Sequence, residues 1–243
     1  MSEPINEQEQ TAAEKPTGPW VIKSVEYEKS GTDRKHFPKE PRLPEIAFVG
    51  RSNVGKSSLL NAVVNRRRMA HVSSTPGRTQ LVNFYMVNGD TRLVDLPGYG
   101  FAKAPIAVKQ TWGRMITQFL LGNKNLRLVV CLFDVRREPT EEDITLLDWL
   151  KHYNFPFVAV ITKSDKLTHS EKIKAKAKLE KWLATWSPRE IILFSAVNKS
   201  GRDELLTVIN QVLEESKAAE AAGEMAEHSE TMEADQSEDD TQE

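Results

Sequence analysis

A glycine, four residues, then Gly-Lys-Ser directly behind an apolar run has a specific chemical use. Here the pattern reads Gly50-Arg51-Ser52-Asn53-Val54-Gly55-Lys56-Ser57 and follows Ile46-Ala47-Phe48-Val49. Gly50 and Gly55 permit backbone torsions that turn several N–H groups inward, Lys56 can reach β and γ phosphates, and the Ser57 hydroxyl can ligate Mg²⁺. The anion would sit at the positive end of the helix that Lys56 opens. A glycine-rich turn that merely joins strand to helix is the bland alternative. The apolar strand before it and Leu59, Leu60, Val63 and Val64 after it favour the phosphate cradle.

Such a cradle leaves the base open, and four further motifs follow in order. Asp95-Leu96-Pro97-Gly98 ends a strand, where the carboxylate can hold Mg²⁺ through water and the Gly98 N–H can meet a γ-phosphate. Thr79, in Pro76-Gly77-Arg78-Thr79-Gln80, is placed to give Mg²⁺ a second hydroxyl only while the γ-phosphate is present. Thr75 is its rival; Thr79 is preferred because it abuts the next strand. Thr162-Lys163-Ser164-Asp165 and Ser195-Ala196 each end a later strand. The Asp165 carboxylate can accept from both the N1–H and the 2-amino group of guanine, a pair adenine lacks, and the Ala196 N–H can meet guanine O6. The stem of Lys163 would cover the base face. Each short motif is weak alone; together, in order and at strand ends, they select a guanine nucleotide.

Positioning these groups requires a sheet. From residue 45 onward apolar strand runs alternate with helical periodicity, which predicts a mostly parallel sheet covered on both faces. Residues 81–87 and 91–94 flank Asn88-Gly89, a type I′ signal, and predict an antiparallel hairpin at one side of the sheet. Trp20, Val21, Ile22 and Val25 suggest a short edge element. Residues 66–80 are polar, basic and aperiodic, as a mobile loop would be. Trp112, Met115, Ile116, Phe119 and Leu120 form the buried stripe of a helix. Buried strands are expected at 128–133, 157–161 and 191–194, with helices carrying Ile144, Leu147 and Leu150, then Leu179, Trp182, Leu183 and Trp186, then Leu205, Val208, Ile209 and Val212.

With 243 residues, 39% of them hydrophobic, the chain fits one domain over 20–216 with tails. Residues 1–19 read as a disordered arm and 217–243 as a disordered acidic tail. That tail holds ten acidic residues against one lysine, net −9, and leaves +7 on the body, which suits a polyanionic partner. No stretch suits a membrane span and the first twenty residues hold no apolar signal region, so the cytoplasm is the expected compartment; separately, a monomer is expected. Cys131 lies inside an apolar run and reads as a small buried hydrophobe. The five histidines show no metal-ligand spacing, so any metal should be Mg²⁺ held partly by phosphate.

The run Leu43-Pro44-Glu45-Ile46-Ala47-Phe48-Val49-Gly50-Arg51-Ser52-Asn53-Val54-Gly55-Lys56-Ser57-Ser58-Leu59 resembles the EngB (YihA/YsxC) GTPases of bacteria. Thr75-Pro76-Gly77-Arg78-Thr79-Gln80, Leu93-Val94-Asp95-Leu96-Pro97-Gly98-Tyr99-Gly100 and Thr162 add to the likeness, which spans about residues 20–215. It implies a three-layer P-loop NTPase fold of the Ras-like GTPase type, mostly parallel with one antiparallel edge hairpin strand. It also implies Mg²⁺-dependent GTP binding, a role in assembling the large ribosomal subunit, and an association with cell division and septation. On this resemblance Gly50, Arg51, Ser52, Asn53, Val54, Gly55, Lys56 and Ser57 take the phosphates, and Ser57 and Thr79 take Mg²⁺. Gly77, Arg78, Thr79, Gln80 and Leu81 form switch I, and Asp95, Leu96, Pro97 and Gly98 open switch II. Thr162, Lys163, Ser164 and Asp165, with Phe194, Ser195 and Ala196, take the base. Lys56, Thr79 and Gly98 are the catalytic set. Thr162 replaces the asparagine usual in GTPases at large, which is expected to loosen the brace between base loop and P-loop.

Where many GTPases carry a glutamine after the DxxG glycine, this chain carries Tyr99, which has no amide to orient water, so slow hydrolysis is expected. Similar GTPases with asparagine at the place of Asn53 can bind K⁺ beside the phosphates; Arg78 could supply charge in cis. Basic residues flank the switches, Arg66, Arg67 and Arg68 before and Lys103, Lys109 and Arg114 after, and ribosomal RNA is their candidate partner. Lys174, Lys178 and Lys181 share one face of a later helix. The competing reading is a nucleotide-gated interaction module of the division machinery with little RNA contact.

Overall fold

The structure, a computed structural model, describes residues 18–66, 69, 81–100, 106–121 and 123–239. Among these residues seven strands, β1 (Val25–Gly31), β2 (Glu45–Gly50), β3 (Val82–Val87), β4 (Thr91–Asp95), β5 (Leu126–Asp134), β6 (Phe157–Thr162) and β7 (Ile191–Leu193), form one sheet in the order β1-β3-β4-β2-β5-β6-β7. The pairs from β4 through β7 are parallel, whereas β3 is antiparallel to both of its neighbours. The reversed hairpin strand therefore stands second from the edge, and β1 takes the edge itself; of Trp20, Val21, Ile22 and Val25, expected to form a short edge element, only Val25 lies in that strand, which runs on through the more polar residues to Gly31. The hairpin turn is the one its sequence predicts: Asn88 and Gly89 adopt φ of 54° and 78°, and the Asp90 N–H bonds to the Val87 carbonyl at 3.2 Å. Asn88 also hooks the segment before β1, its Oδ1 accepting from Lys23 N at 2.8 Å and its Nδ2 donating to Val21 O at 2.8 Å.

Among the described residues five α-helices cover the sheet: α1 (Lys56–Val63), α2 (Ile106–Leu120), α3 (Glu141–His152), α4 (His169–Leu183) and α5 (Arg202–Asp239). Side chains alternate between faces along each strand, so Ile46 and Phe48 of β2 and Leu128, Val130 and Leu132 of β5 pack with α1 and α5. Ala47, Val49, Val129, Cys131 and Phe133 pack with α2, α3 and α4. This is why the central strands read as unbroken apolar runs: both faces are buried. Cys131 is fully buried, and burial pushes its thiol pKa up, as expected of a packing residue.

The elements start and stop where local chemistry directs. Capping boxes open α3 (Thr140 with Asp143) and α4 (Thr168 with Glu171). Arg202, at the start of α5, donates to the carbonyls of Ala62 and Val63 at the end of α1, at 2.9 and 2.8 Å. α5 does not stop at 216. It continues as helix to Asp239 through the segment whose composition suggested disorder, and Arg127 of β5 holds it by bonding Ser216 and, at 2.6 Å, Glu220. The local reason is propensity, since 217–227 is largely alanine and glutamate. At the other end, Trp20 is buried and its N–H bonds to Leu206 O at 3.1 Å, which ties the chain from about residue 20 onto α5.

Candidate functional site

The parallel strands present their carboxyl ends to one edge, and there the structure gathers the P-loop after β2, the 95–98 loop after β4, Asp134 at the end of β5, the 162–165 loop after β6 and 194–196 after β7.

Within the P-loop the two glycines have different reasons. Gly55 takes φ 108° and caps the N-terminus of α1, a torsion side chains avoid. Gly50 does not need a positive φ; a Cβ there would stand 2.9 Å from Leu132 Cβ, so its requirement is space beside β5. The second positive φ in the loop belongs to Asn53, at 63°, an exposed residue. Val54 is buried as an anchor, and Ser57 lies in the first turn of α1.

Lys56 and Asp95 pair with each other, both side chains largely buried. Asn83 of β3 reaches the other Asp95 oxygen at 3.5 Å and is itself held by Ser30 of β1, so the edge strands contribute to holding this carboxylate. A buried ammonium and a buried carboxylate neutralise one another here; a bound phosphate would offer the ammonium, and a hydrated cation the carboxylate, a partner of opposite charge in its place. The oxygen donors fit Mg²⁺: a serine hydroxyl and one carboxylate suit a small hard cation that keeps waters and takes phosphate oxygens. Among the described residues no three His, Cys, Asp or Glu side chains cluster as an all-protein metal site.

The 95–98 loop is stitched to the P-loop. Ser52 N bonds to Tyr99 O at 2.8 Å and Tyr99 N to Gly50 O at 3.3 Å. Gly98 lies against Ser52, where an added Cβ would come within 3.2 Å of its backbone. Trp112 of α2, expected only as a core residue, also donates from Nε1 to Pro97 O at 2.7 Å. Leu96 and Pro97 are buried. Leu81 stands exposed just before β3, while Gly77, Arg78, Thr79 and Gln80, with Thr75, lie outside the described residues.

On the base side, the Thr162 hydroxyl donates to Val54 O at 2.6 Å and lies 3.1 Å from Phe133 O. The brace that threonine was expected to loosen is therefore made, by a hydroxyl rather than an amide. Lys163, at φ 63°, sends Nζ to Asn53 O at 2.8 Å, a second tie to the P-loop. Ser164 is buried, with its N–H on Phe194 O at 3.1 Å. Ser195 donates to Asp165 Oδ1 at 2.8 Å and accepts from Val197 N at 3.2 Å. The Ser195 hydrogen bond holds the Asp165 carboxyl below its usual range. Ser195 thus orients the carboxylate, and Ala196, half-buried, follows it.

Sequence reasoning passed over Asp134 and Asp143. Asp134 ends a parallel strand at the ligand-bearing edge and precedes Arg136-Arg137, a signal that was there to read. Asp143 looked like a helix-start acid, and nothing local links it to Tyr99.

A P-loop at a strand-to-helix junction, a DxxG aspartate beside its lysine and a base loop braced to it on a mostly parallel sheet define a P-loop GTPase, a GTP hydrolase. Residues 45–163 match the family described as 50S ribosome-binding GTPase. The chain is 50% identical over 204 residues to the probable GTP-binding protein EngB of Geobacter metallireducens, covering 84% of this chain and 99% of that protein. It is 44% identical over 193 residues to the protein of the same description from Clostridium kluyveri, covering 79% and 98%. The chain belongs to the EngB family of GTP-binding proteins. Of solved structures, that of a probable GTP-binding protein engB aligns with a TM-score of 0.58 at 23% identity, over 70% of this chain and 99% of that one. Era in complex with MgGDPNP and nucleotides 1506–1542 of 16S ribosomal RNA aligns at 0.56 and 22%, over 70% and 56%. These two speak for the fold alone. Among the described residues no helix is long and apolar enough to cross a membrane.

Proposed function

We propose that this protein is a GTP/GDP switch in assembly of the large ribosomal subunit, with a consequent role in cell division and septation, working as a cytoplasmic monomer. The observation that carries this reading is the match of residues 45–163, which run from the P-loop to the base loop, to the family described by 50S ribosome binding.

In this reading the Gly50 to Ser57 backbone cradles the phosphates, and Lys56 exchanges Asp95 for the β and γ phosphates. Ser57 and Thr79 would hold Mg²⁺, with Asp95 supporting it from behind. When bound, the ion neutralises charge on the phosphate oxygens. Gly98 turns its N–H to the γ-phosphate from its seat beside Ser52. Asp165 accepts from the guanine edge while Ala196 N–H meets O6, and the Lys163 stem covers one face. Asn53 is the place for K⁺. Hydrolysis is slow because Tyr99 has no amide to orient water and its hydroxyl donates instead to Asp143 Oδ1 at 2.6 Å, leaving the orientation of water to a partner, an ion or switch I. The folded unit runs from about residue 20 and extends past 216 to the Arg127 contact with Glu220.

The contact with ribosomal RNA falls on the basic surface near the switches. Arg66, Arg114, Arg136 and Arg137 are exposed there or at the neighbouring strand ends; Arg67, Arg68 and Lys103 lie outside the described residues. Such contacts give salt-dependent affinity without sequence readout. Sedimentation with ribosomal particles tests this: the protein should travel with the large subunit or its precursors in GTP and not in GDP. Equal sedimentation in both states, or none in either, would remove the switch reading.

A further inference from the structure

We propose that Asp134 is a positioning residue for the nucleotide base: it fixes the ammonium of Lys163, so that the lysine stem forms a firm wall of the base pocket. This rests on the reading of residues 162–165 as the base loop.

Lysine is a poor wall by itself, because its four-carbon stem has large rotamer entropy. It becomes one only when both ends are held. The backbone end is held here by the left-handed torsion at Lys163 and by the bond from Ser164 N to Phe194 O. The far end is held by two acceptors at 2.8 Å, Asn53 O and Asp134 Oδ2. Between them the stem passes over the P-loop, since a Cβ on Gly55 would stand 3.8 Å from Lys163 Cε.

Asp134 is built for this. It is the last residue of β5, 7% exposed, and pairs in register with Thr162, the residue before the lysine. Arg136 fixes the carboxylate from the other side, its N–H and Nε on Oδ1 at 3.1 and 2.9 Å and its Nη2 on Oδ2 at 2.8 Å. Arg137 Nε stands 4.0 Å away. Burial works against the charge, but the hydrogen bonds from Arg136 and Lys163 outweigh it and hold the carboxyl well below the usual carboxylate range. A charged acceptor binds an ammonium more firmly than a carbonyl does.

A wall against the base face acts on every purine alike, whereas Asp165 reads the guanine edge. That separates the two in an experiment with the full chain, measuring dissociation of GDP and of inosine diphosphate, which lacks the 2-amino group. Asp134→Asn retains Oδ1 for Arg136 and turns an amide donor toward Lys163. It should speed release of both nucleotides about tenfold and leave their ratio unchanged. The same substitution in a Lys163→Ala background should add nothing. Lys163→Met keeps the stem and removes the ammonium, and should match Asp134→Asn; it serves also if Asp134→Asn fails to fold. Release at the wild-type rate from Lys163→Met, alongside fast release from Lys163→Ala, would overturn the role of Asp134 and leave the base loop standing. Full additivity of Asp134→Asn with Lys163→Ala would overturn it too. Wild-type release from Lys163→Ala would overturn the base-loop reading itself.

Discussion

The Tyr99 hydroxyl donates to Asp143 Oδ1 at 2.6 Å, a bond buried between the residue after the DxxG glycine and the first turn of α3. Tyr99 is 4% exposed and packs edge-on against Trp112, so its side chain belongs to the core. The other Asp143 oxygen closes the capping box on Thr140. Tyr99→Phe should cost about 1–2 kcal/mol of stability by removing one buried bond to a charged acceptor. It should leave the hydrolysis rate as it is. Tyr99→Gln should hydrolyse GTP no faster, because a glutamine rooted here would enter the core. Thermal unfolding and single-turnover hydrolysis of both variants check this; acceleration by the glutamine would show that position 99 can face the phosphate after all.

Asp165 owes its orientation to Ser195. Asp165→Asn exchanges an acceptor for a donor opposite the guanine edge and should weaken GTP on the order of a hundredfold while favouring xanthine nucleotides. The lowered Asp165 pKa, caused first by the Ser195 bond, keeps the carboxylate ionised as pH falls below the ordinary 3.8. Its contribution is therefore complete above that value and lost as pH falls through the depressed one. Ser195→Ala should move this loss to higher pH, which GDP binding followed across an acid titration of both proteins would reveal.

The Thr162 hydroxyl is one donor serving two buried carbonyls, those of Val54 and Phe133. Thr162→Val keeps the shape and removes the donor, and should cost about 1–2 kcal/mol. Nucleotide release should quicken because the P-loop loses a tether, while Thr162→Ser should behave as wild type. Denaturant unfolding and GDP release rates separate the two variants, and equal behaviour would mean that the brace is carried by Lys163 alone.

These contacts mark how far the chain could be read in advance. Whatever is encoded within a few residues was legible: the Asn88-Gly89 turn, the strand runs and the ordered motifs, because torsional preference and periodicity are local. The motifs converge because parallel strands must end on one edge. What could not be read depends on residues far apart in sequence. Gly50 is glycine because of Leu132, Thr162 braces Val54, Tyr99 meets Asp143, and β1 takes the edge by pairing Val25 with Val87. The tail is a case of another kind: low apolarity argues against packing but not against helix, and the backbone of α5 runs on to Asp239 through a segment rich in alanine and glutamate.

Far from the nucleotide edge, Arg92 at the start of β4 is fully buried, with Nε and Nη2 on Glu28 at 2.8 and 3.0 Å and Nη1 on Pro41 O at 2.9 Å. Glu45, 3% exposed, lies 3.9 Å from Nη1 and takes a 2.8 Å bond from Asn123. Burial raises the Glu45 pKa above 4.5, with Asn123 and then Arg92 opposing it. Arg92→Met strands two carboxylates and should cost about 3–5 kcal/mol at neutral pH. Glu45 would then lose a cation, and its folded pKa would climb further. A carboxyl with a raised folded pKa burdens the fold above that pKa and ceases to as pH falls through it, by protonation. The deficit of Arg92→Met relative to wild type should accordingly shrink between neutrality and the region just above 4.5, before Asp134 loses its own charge. Urea unfolding of both proteins at pH 7 and at about pH 5 measures the difference. A deficit constant with pH would mean that the lost packing of the guanidinium, rather than the stranded charge, sets the cost.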